Sequence, residues 1–285
     1  MLSENSRQIN RKGCNTMNLK LKTKSPISRL PKMSVARVNR PYTVIIPTKG
    51  RYNKVKPLAS LGLPRERFVL CVNDESEAEK YANANPGVEI LISHKKGCMP
   101  NRNFLLDYYP VGSKIIMVDD DVEGLFEQRG PGRQGLVKMT GDEIDNLIKK
   151  GFAMCETNGT KLWGVYPTFN HYFMSRTIVP HGFIVGMWMG IIVSDERFDT
   201  NVKFKDDYAF TCQHIMRFKK IVRFNYVCVK AQYLTNAGGS ADFRTAEAIE
   251  NDVEYLIQKY PNFIQRNNKR KGNEILLKFR PVKGA

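Results

Sequence analysis

The sequence predicts an α/β fold in which short buried strands alternate with helices around a mostly parallel sheet. Apolar segments recur at residues 43–48, 68–73, 88–93 and 114–118, and polar stretches with helix-forming residues separate them. Such an alternation places consecutive strands side by side through right-handed crossovers. The chain has 285 residues, 42% of them hydrophobic, which is enough for one large domain or two small ones.

Helices are predicted after each of the first three strands. A short helix includes Val55 and Leu58, an acidic helix begins near Glu75, and a third helix covers residues 100–109. The fourth strand, 114–118, leads directly into three carboxylates. These alternating elements therefore predict a sheet whose ligands lie beyond the carboxyl ends of the strands.

The alternation loosens after residue 121. The segment 129–135 is rich in glycine, but it neither follows a predicted strand nor opens a helix with phosphate-loop spacing, so we interpret it as a lid or contact loop. Residues 140–143 have capping-box spacing, which predicts a helix to about Cys155. The remaining predicted elements are strands at 162–166, 178–193 and 221–229 and helices at 206–218 and 243–260.

The positive charge of the chain is concentrated at its two ends. The formal net charge is +17, of which residues 1–40 contribute +9 and residues 266–285 contribute +6. We interpret 1–40 as a flexible basic arm, 41–265 as a single domain and 266–285 as a basic tail. Basic ends favour binding to nucleic acid through counterion release. A solvated tail or, for the arm, a mitochondrial transit peptide are the alternatives.

Composition argues against several other classes of protein. The six cysteines are far apart in sequence, and no two of them form a Cys-x-x-Cys pair. This spacing is typical of reduced cysteines and not of a zinc site. No apolar run reaches the roughly 18–20 residues that span a bilayer, so no membrane partner is expected. No secretory signal is visible, and we expect a cytoplasmic location.

The carboxylates Asp119, Asp120 and Asp121 follow the fourth strand directly. Adjacent negative charges repel one another, and a divalent cation or the hydroxyls of a sugar would relieve that repulsion. The alternative is an Asp-rich turn that caps a helix. At the end of a buried strand, this run indicates a ligand site.

Four segments resemble, in order, the family-2-like glycosyltransferases of the GT-A fold. They are residues 44–51, 97–103, 115–121 and 204–210, and the resemblance covers roughly residues 43–230. Within that fold, the Asp-Asp-Asp run and the basic charge are similar to the TET-associated and base-J-type DNA-modifying glycosyltransferases of phages. The resemblance implies a GT-A fold, which is a Rossmann-like mixed sheet flanked by helices.

The resemblance also implies an activity and two halves of the domain. Residues 41–121 would bind a nucleotide-sugar, for which the resemblance implies a UDP-sugar, and residues 122–265 would bind the acceptor. The implied acceptor is the hydroxyl of a hydroxymethylated pyrimidine in double-stranded DNA, in the cytoplasm of an infected bacterium if the protein is phage-encoded. The alternatives are a protein, lipid or polysaccharide acceptor, or a catalytically degenerate module that binds nucleic acid.

Nucleotide-sugar contacts are implied for residues at the ends of the first two strands, at the start of the third helix and in the Asp run. These residues are Pro47, Thr48, Lys49, Arg51, Asn73, Asp74, Arg102, Asp119 and Asp120. Arg102 lies where a helix N-terminus favours phosphate, and its guanidinium would add charge. The alternative is that Arg102 pairs with an acid across the sheet.

The resemblance implies a metal site with Mn²⁺ or Mg²⁺ on Asp121, with Asp119 as a second ligand. Hard oxygen ligands suit these ions. The family often places a further histidine ligand after the strand at 221–229, but this sequence has no histidine in segment 230–236. The full ligand set is therefore left open.

The catalytic residues implied by the resemblance are Asp207 and Asp206. Asp207 would act as the base that deprotonates the acceptor hydroxyl, and the alternative is that the pair caps the helix that follows. His181, Trp188 and Met189 are predicted to line the acceptor pocket, with core packing as the alternative for the last two.

Overall fold

The structure is a computed structural model that describes residues 40–231, 245–267 and 275–278. The strands are β1 Thr43–Pro47, β2 Phe68–Val72, β3 Glu89–Ile92, β4 Lys114–Val118, β5 Val122–Gln128, β6 Leu136–Lys138, β7 Leu162–Tyr166, β8 Ile178–Val179, β9 Trp188–Ile192, β10 Val222–Ala231, β11 Ile264–Arg266 and β12 Ile275–Leu277. The helices are α1 Pro57–Ser60, α2 Glu75–Ala84, α3 Cys98–Tyr108, α4 Gly141–Asn158, α5 Asp206–Phe218 and α6 Ala246–Lys259. The predicted arm 1–40, except Arg40, and most of the tail 266–285 lie outside the described residues, as does segment 232–236.

Ten strands of the described residues form one mixed sheet in the order β3-β2-β1-β4-β9-β7-β10-β5-β6, with β8 paired to β10. The first four strands along this path are parallel, because helices connect β1 to β2, β2 to β3 and β3 to β4. Strand β9 is antiparallel to both β4 and β7, and β10 is parallel to β7. The predicted mixed sheet flanked by helices is confirmed.

Strand directions decide which residues meet at the functional edge. Since β9 is antiparallel to both of its neighbours, β4 and β7 run in the same direction. The carboxyl ends of β1, β2, β4, β7 and β10 therefore lie along one edge of the sheet. The motifs that follow β1, β2 and β4 are brought to this edge by topology alone.

Helix ends follow the capping signals in the sequence. Thr140 and Glu143 form the predicted capping box at the start of α4, and Gly159 closes that helix in the left-handed conformation with φ 65°. Asp74 caps α2 by accepting a hydrogen bond of 2.9 Å from the Glu77 amide. Thr245 caps α6 in the same way. None of the helices that the structure describes combines the length and apolar character needed to cross a bilayer.

Trp163 lies at the centre of the main hydrophobic core, which extends from β1 to β10. Its indole packs edge-on against Phe152, with ring centroids 5.8 Å apart. A Cβ atom added at Gly190 on β9 would collide with the same ring. The glycine is therefore required by the close approach of the tryptophan to the neighbouring strand.

A second, smaller core joins α5 to α6 and to the two-stranded sheet of β11 and β12. Its fully buried members include Ala209 and Cys212 from α5 and Val253 and Leu256 from α6. This packing fixes α6 against the helix whose first residues are the predicted catalytic pair.

Two predictions about the second half of the chain are wrong. Strands β5 and β6 form an antiparallel hairpin directly after Asp121, so the glycine-rich loop 129–135 does follow a strand. The loop closes with a hydrogen bond of 2.8 Å from the Arg129 amide to the Gly135 carbonyl. The single strand predicted at 178–193 is also two strands, because the segment between β8 and β9 contains a proline and two glycines that interrupt pairing.

Candidate functional site

Asp120 joins the carboxyl ends of β1 and β4. One of its carboxylate oxygens accepts a hydrogen bond of 2.7 Å from the Thr48 hydroxyl, and the other pairs with Arg51 at 2.6 Å. Asp120 and Thr48 are each only 7% exposed. Both oxygens of Asp120 therefore hold the turn after β1, and its expected contact with a nucleotide-sugar stays a prediction.

Tyr81 on α2 completes this turn and was not singled out in the sequence. Its buried hydroxyl is 2.8 Å from the Thr48 hydroxyl and accepts a hydrogen bond of 2.9 Å from the Arg51 amide. Pro47 is half-buried and Lys49 is exposed on the same turn. Lys49 thus presents its charge to solvent at the edge where β1 ends.

The end of β2 carries the next two predicted residues. The Asn101 side chain on α3 donates to the Asn73 side chain at 3.1 Å, and it also binds the Ser93 hydroxyl. Asp74 is exposed, but its carboxylate caps α2. Asn73 therefore belongs to a polar network between β2 and α3, and Asp74 has a structural role that is independent of any ligand.

Arg102 connects the two acidic motifs. It is 5% exposed, and its guanidinium lies 3.4 Å from the Asp119 carboxylate and 3.2 Å from the Asp206 carboxylate. It also stacks over Phe198, with the guanidinium carbon 5.2 Å from the ring centroid. Arg102 therefore pairs with two acids, as the alternative interpretation predicted, and its contact with a donor phosphate stays a prediction.

The segment before β9 contacts the same carboxylates through its backbone. The Gly186 amide donates to the Asp207 carboxylate at 3.1 Å, and the Gly186 carbonyl accepts from Arg102 at 3.3 Å. The Met187 carbonyl accepts from the Asp119 amide at 3.3 Å. Sequence analysis did not identify Gly186. Its only distinguishing feature in the sequence is its position four residues before Gly190, a glycine within a buried strand.

Acidic side chains raise one another's pKa at this site. Burial, together with the charges of Asp121 and Asp120, raises the pKa of Asp119 to about 7, although Arg102 opposes the shift. The Asp119 side chain is 42% exposed, so water screens part of this repulsion. Burial and the charge of Asp206 raise the pKa of Asp207. Burial is the largest cause of both shifts and neighbouring carboxylates add to it, so a cation bound here would favour the ionised carboxylates.

The donor set fits a metal ion that is held jointly with a substrate. The residues that the structure describes contain no group of three His, Cys, Asp or Glu side chains placed to hold a metal. Asp119 and Asp121 are both partly exposed at the end of β4. Mg²⁺ and similar ions are commonly bound by one or two carboxylates plus the phosphates of a substrate. These two residues fit that arrangement and do not form a self-sufficient metal centre.

Two of the three predicted acceptor residues are buried in the core. Trp188 and Met189 lie on β9 with 0% exposure, so they present no surface to an acceptor, and this prediction is corrected in favour of core packing. His181 is half-buried on the loop before β9. Phe183 on that loop stacks on Tyr208, with ring centroids 4.1 Å apart. This half-buried aromatic pair adjoins Asp207 and is the better candidate for the acceptor wall.

Asp252 on α6 holds the segment that leads into the catalytic pair. Its carboxylate is 3% exposed and accepts hydrogen bonds from three successive amides, those of Lys203 at 3.0 Å, Phe204 at 2.6 Å and Lys205 at 3.2 Å. Consecutive amides around an anion form a charge-assisted cradle. Asp252 therefore sets the backbone from which Asp206 and Asp207 begin α5.

Replacing Asp252 with asparagine should lower kcat by about 10-fold, because a small misplacement of a reacting group reduces the rate strongly. The KM for the nucleotide-sugar should be nearly unchanged, since the residues after β1 and β4 are untouched. Kinetics well below the melting temperature would test this, with the exposed Glu247→Gln on the same helix as control. A variant that is less stable but has wild-type kcat would reduce Asp252 to a structural residue.

The family to which the chain belongs follows from comparison with known proteins. No curated protein matches it. Among solved structures, glucosyl-3-phosphoglycerate synthase from Mycobacterium tuberculosis, in complex with Mn²⁺, uridine-diphosphate-glucose and phosphoglyceric acid, aligns with a TM-score of 0.47 and 8% identity over 82% of this chain and 86% of that one. The family model described as TET-Associated Glycosyltransferase matches residues 42–239, which include every strand from β1 to β10. This match confirms the resemblance that the ordered motifs indicated, and the chain belongs to the TET-associated glycosyltransferase family.

Proposed function

We propose that this protein transfers a sugar from a UDP-sugar to the hydroxyl of a hydroxymethylated pyrimidine in DNA. The observation that carries the proposal is the meeting of two acidic motifs around Arg102. Asp119 and Asp206 pair with different nitrogens of its guanidinium, at 3.4 Å and 3.2 Å, although they are 87 positions apart in sequence. A glycosyltransferase needs a donor site and a base side by side, and the closeness of the two motifs supports a donor site at Asp119 next to a base at Asp207.

The donor would bind along the edge formed by the ends of β1, β2 and β4. Lys49 would supply positive charge near the diphosphate, and Asp119 and Asp121 would hold Mn²⁺ or Mg²⁺ together with it. When bound, such an ion stabilises negative charge on the leaving diphosphate as a Lewis acid. The positive charge of Arg102 offsets the negative charges of Asp119 and Asp206, and this allows several carboxylates to lie close together before the donor binds.

Asp207 would take the proton of the acceptor hydroxyl. As that oxygen forms its bond to the anomeric carbon, the bond between the sugar and the diphosphate breaks, and the proton moves to Asp207. The two N–H groups of Gly186 and Tyr208, at 3.1 Å and 2.9 Å, fix the orientation of the carboxylate. Each oxygen retains a further lone pair for the proton. A carboxylate with a raised pKa is a stronger base than an ordinary aspartate.

The choice of DNA as acceptor rests on the family and on charge. The net charge of +17 is placed largely in the two ends of the chain. A degenerate binding module would account for the charge, but it gives no reason to keep acidic residues together at the ends of strands. A protein, lipid or polysaccharide acceptor would use the same chemistry without needing basic ends.

The deciding experiment is transfer itself. Purified protein would be incubated with Mn²⁺, UDP-glucose and, in parallel, plain DNA or DNA containing 5-hydroxymethylcytosine, and the digested nucleosides would be weighed by mass spectrometry. A hexose added to the modified base alone supports the proposal. Transfer to none of a panel of hydroxymethylated bases with several UDP-sugars, together with binding of the donor, would direct the search to other acceptors.

Deleting residues 1–39 should weaken binding to DNA and flatten its dependence on salt. Each lost contact between a cation and a phosphate reduces the slope of log K against log salt by about 0.9. Titrations at several salt concentrations would measure this, and transfer to a short hydroxymethylated oligonucleotide would check that the remaining protein is active. An unchanged slope would show that the arm makes no phosphate contacts.

A further inference from the structure

Two aromatic side chains project from the turn that follows β7. Tyr172 is 79% exposed and Phe173 is 70% exposed. With His171 they form a single 3₁₀ turn, which we name the aromatic turn, His171–Phe173. Two adjacent exposed rings gain little from the fold of their own chain, and exposed apolar surface of this kind commonly marks a contact with a partner.

The aromatic turn is held in a defined conformation. The Asn170 side chain accepts from the Tyr172 amide at 3.1 Å, and the ring centroids of His171 and Tyr172 lie 4.0 Å apart. After the turn, the Ser175 amide donates to the Asn225 carbonyl on β10 at 3.3 Å. The rings are therefore presented by a braced segment, and little conformational entropy is lost when a partner binds.

The charge pattern of the segment that carries the turn favours a polyanion. No aspartate or glutamate occurs in sequence between Glu156 and Asp195. Arg176, three residues after the turn, donates to the carbonyl oxygens of Gln128 at 3.2 Å and Arg129 at 3.1 Å. Carbonyl oxygens orient the guanidinium without cancelling its charge, so the segment that presents the exposed rings also carries a positive charge three residues further on.

The turn also leaves the sheet at the functional edge. Strand β7 runs in the same direction as β4, so residues after Tyr166 emerge on the side where Asp119 lies. Phe169, at the base of the turn, has Lys230 5.8 Å from its ring centroid, and Lys230 pairs at 2.8 Å with Glu123. A chain of contacts thus extends from the base of the turn to a residue two positions after Asp121.

We propose that the aromatic turn stacks on a base of the acceptor DNA next to the nucleotide that receives the sugar. This inference rests on the proposed function. Every base presents a π-face, so aromatic side chains beside a cation bind unstacked bases without requiring a particular sequence. A base becomes available for such stacking when the reacting nucleotide is drawn out of the helix toward Asp207.

The test compares Tyr172→Ser, Phe173→Ser and the double variant with wild-type protein on a hydroxymethylated oligonucleotide. The double variant should bind this DNA about 10-fold more weakly. Its salt slope should be unchanged, because no phosphate contact is lost. Hydrolysis of the UDP-sugar without acceptor should keep its wild-type rate. Tyr172→Trp should retain affinity, since the indole also stacks. Val111→Ser removes another exposed side chain, 72% exposed before β4 at the opposite edge, and serves as the control.

Each other outcome has a definite meaning. If wild-type protein transfers sugar to DNA and the double variant binds and transfers equally well, the stacking role is overturned while the proposed function stands. If wild-type protein neither binds nor modifies DNA but hydrolyses the donor, the proposed acceptor fails and the stacking role fails with it. If DNA affinity is unchanged while the double variant alters the oligomeric state in solution, the turn is a contact between copies of the chain.

Discussion

Replacing Asp207 with asparagine should reduce the rate of sugar transfer by about 1,000-fold, within the range that general bases contribute. The amide cannot take the proton of the acceptor hydroxyl, but it keeps the shape of the carboxylate and one hydrogen-bond acceptor for the Gly186 amide. Donor affinity should therefore change little. Initial rates with saturating donor and acceptor, together with calorimetry of donor binding, would measure both effects.

A matched control is available on another helix. Asp142 occupies the second position of α4, as Asp207 does in α5, but it is exposed and belongs to no part of the candidate site. Asp142→Asn should have wild-type activity. The Asp207→Asn protein should also melt near the wild-type temperature at pH 8, because removal of a charge beside Asp206 offsets the hydrogen bond that is lost from the Tyr208 amide. Wild-type rates in Asp207→Asn would move the role of the base to another residue.

The pH dependence should carry the signature of the same group. Only the ionised carboxylate acts as a base, so kcat/KM should fall as the pH decreases through the pKa of Asp207. Burial and the charge of Asp206 raise that pKa above the usual 3.8. The acid limb should consequently lie well above pH 4, and it should disappear from the residual activity of Asp207→Asn.

The sequence predicted those helices and strands whose apolar spacing matches the side that they bury in the fold. Strand β4 at 114–118 and helix α5 at 206–218 have the predicted bounds, because each has clear apolar spacing and a sharp change of composition at its ends. Hairpin β5–β6 was missed, since Gly124 and the glycine-rich loop at 129–135 weaken the strand pattern. Pairing with β10 across the sheet stabilises β5, and such long-range pairing is not encoded locally.

The sequence predicted which residues form the candidate site, but it did not predict the ion pairs and hydrogen bonds between them. The motifs identified Asp119, Asp206 and Arg102, but only the strand order shows that one guanidinium lies between the two acids. The same limit applies to Asp120, whose role depends on Thr48 and Arg51 from another strand end. Asp252 had no signal at all, because a buried acid on an amphipathic helix looks like an ordinary surface residue until the amides that it binds are known.

Replacing Asp121 with asparagine should raise the concentration of Mn²⁺ needed for half-maximal transfer by at least about 10- to 100-fold, since the loss of even an outer-shell partner of a metal ligand costs this much affinity. Asp121 is partly exposed at the end of β4, and burial together with the charge of Asp120 raises its pKa, so a bound cation would favour its ionised form. Chelation should stop transfer by wild-type protein, and added Mn²⁺ should restore it. Glu123→Gln is the matched control, because Glu123 lies two residues further along and pairs with Lys56 and Lys230.

The neighbouring residue Asp120 should behave differently, and the difference separates a metal ligand from a structural acid. Asp120→Asn breaks a largely buried pair with Arg51 and weakens the hydrogen bond from Thr48, so the free energy of unfolding should fall by about 3 kcal/mol. The Mn²⁺ requirement of the fraction that remains folded should be close to that of wild-type protein. If instead Asp120→Asn changes the metal requirement and Asp121→Asn changes only stability, the two residues have exchanged roles. Because the two carboxylates are adjacent in sequence, only their partners in the fold distinguish them, and the paired measurement tests those partners directly.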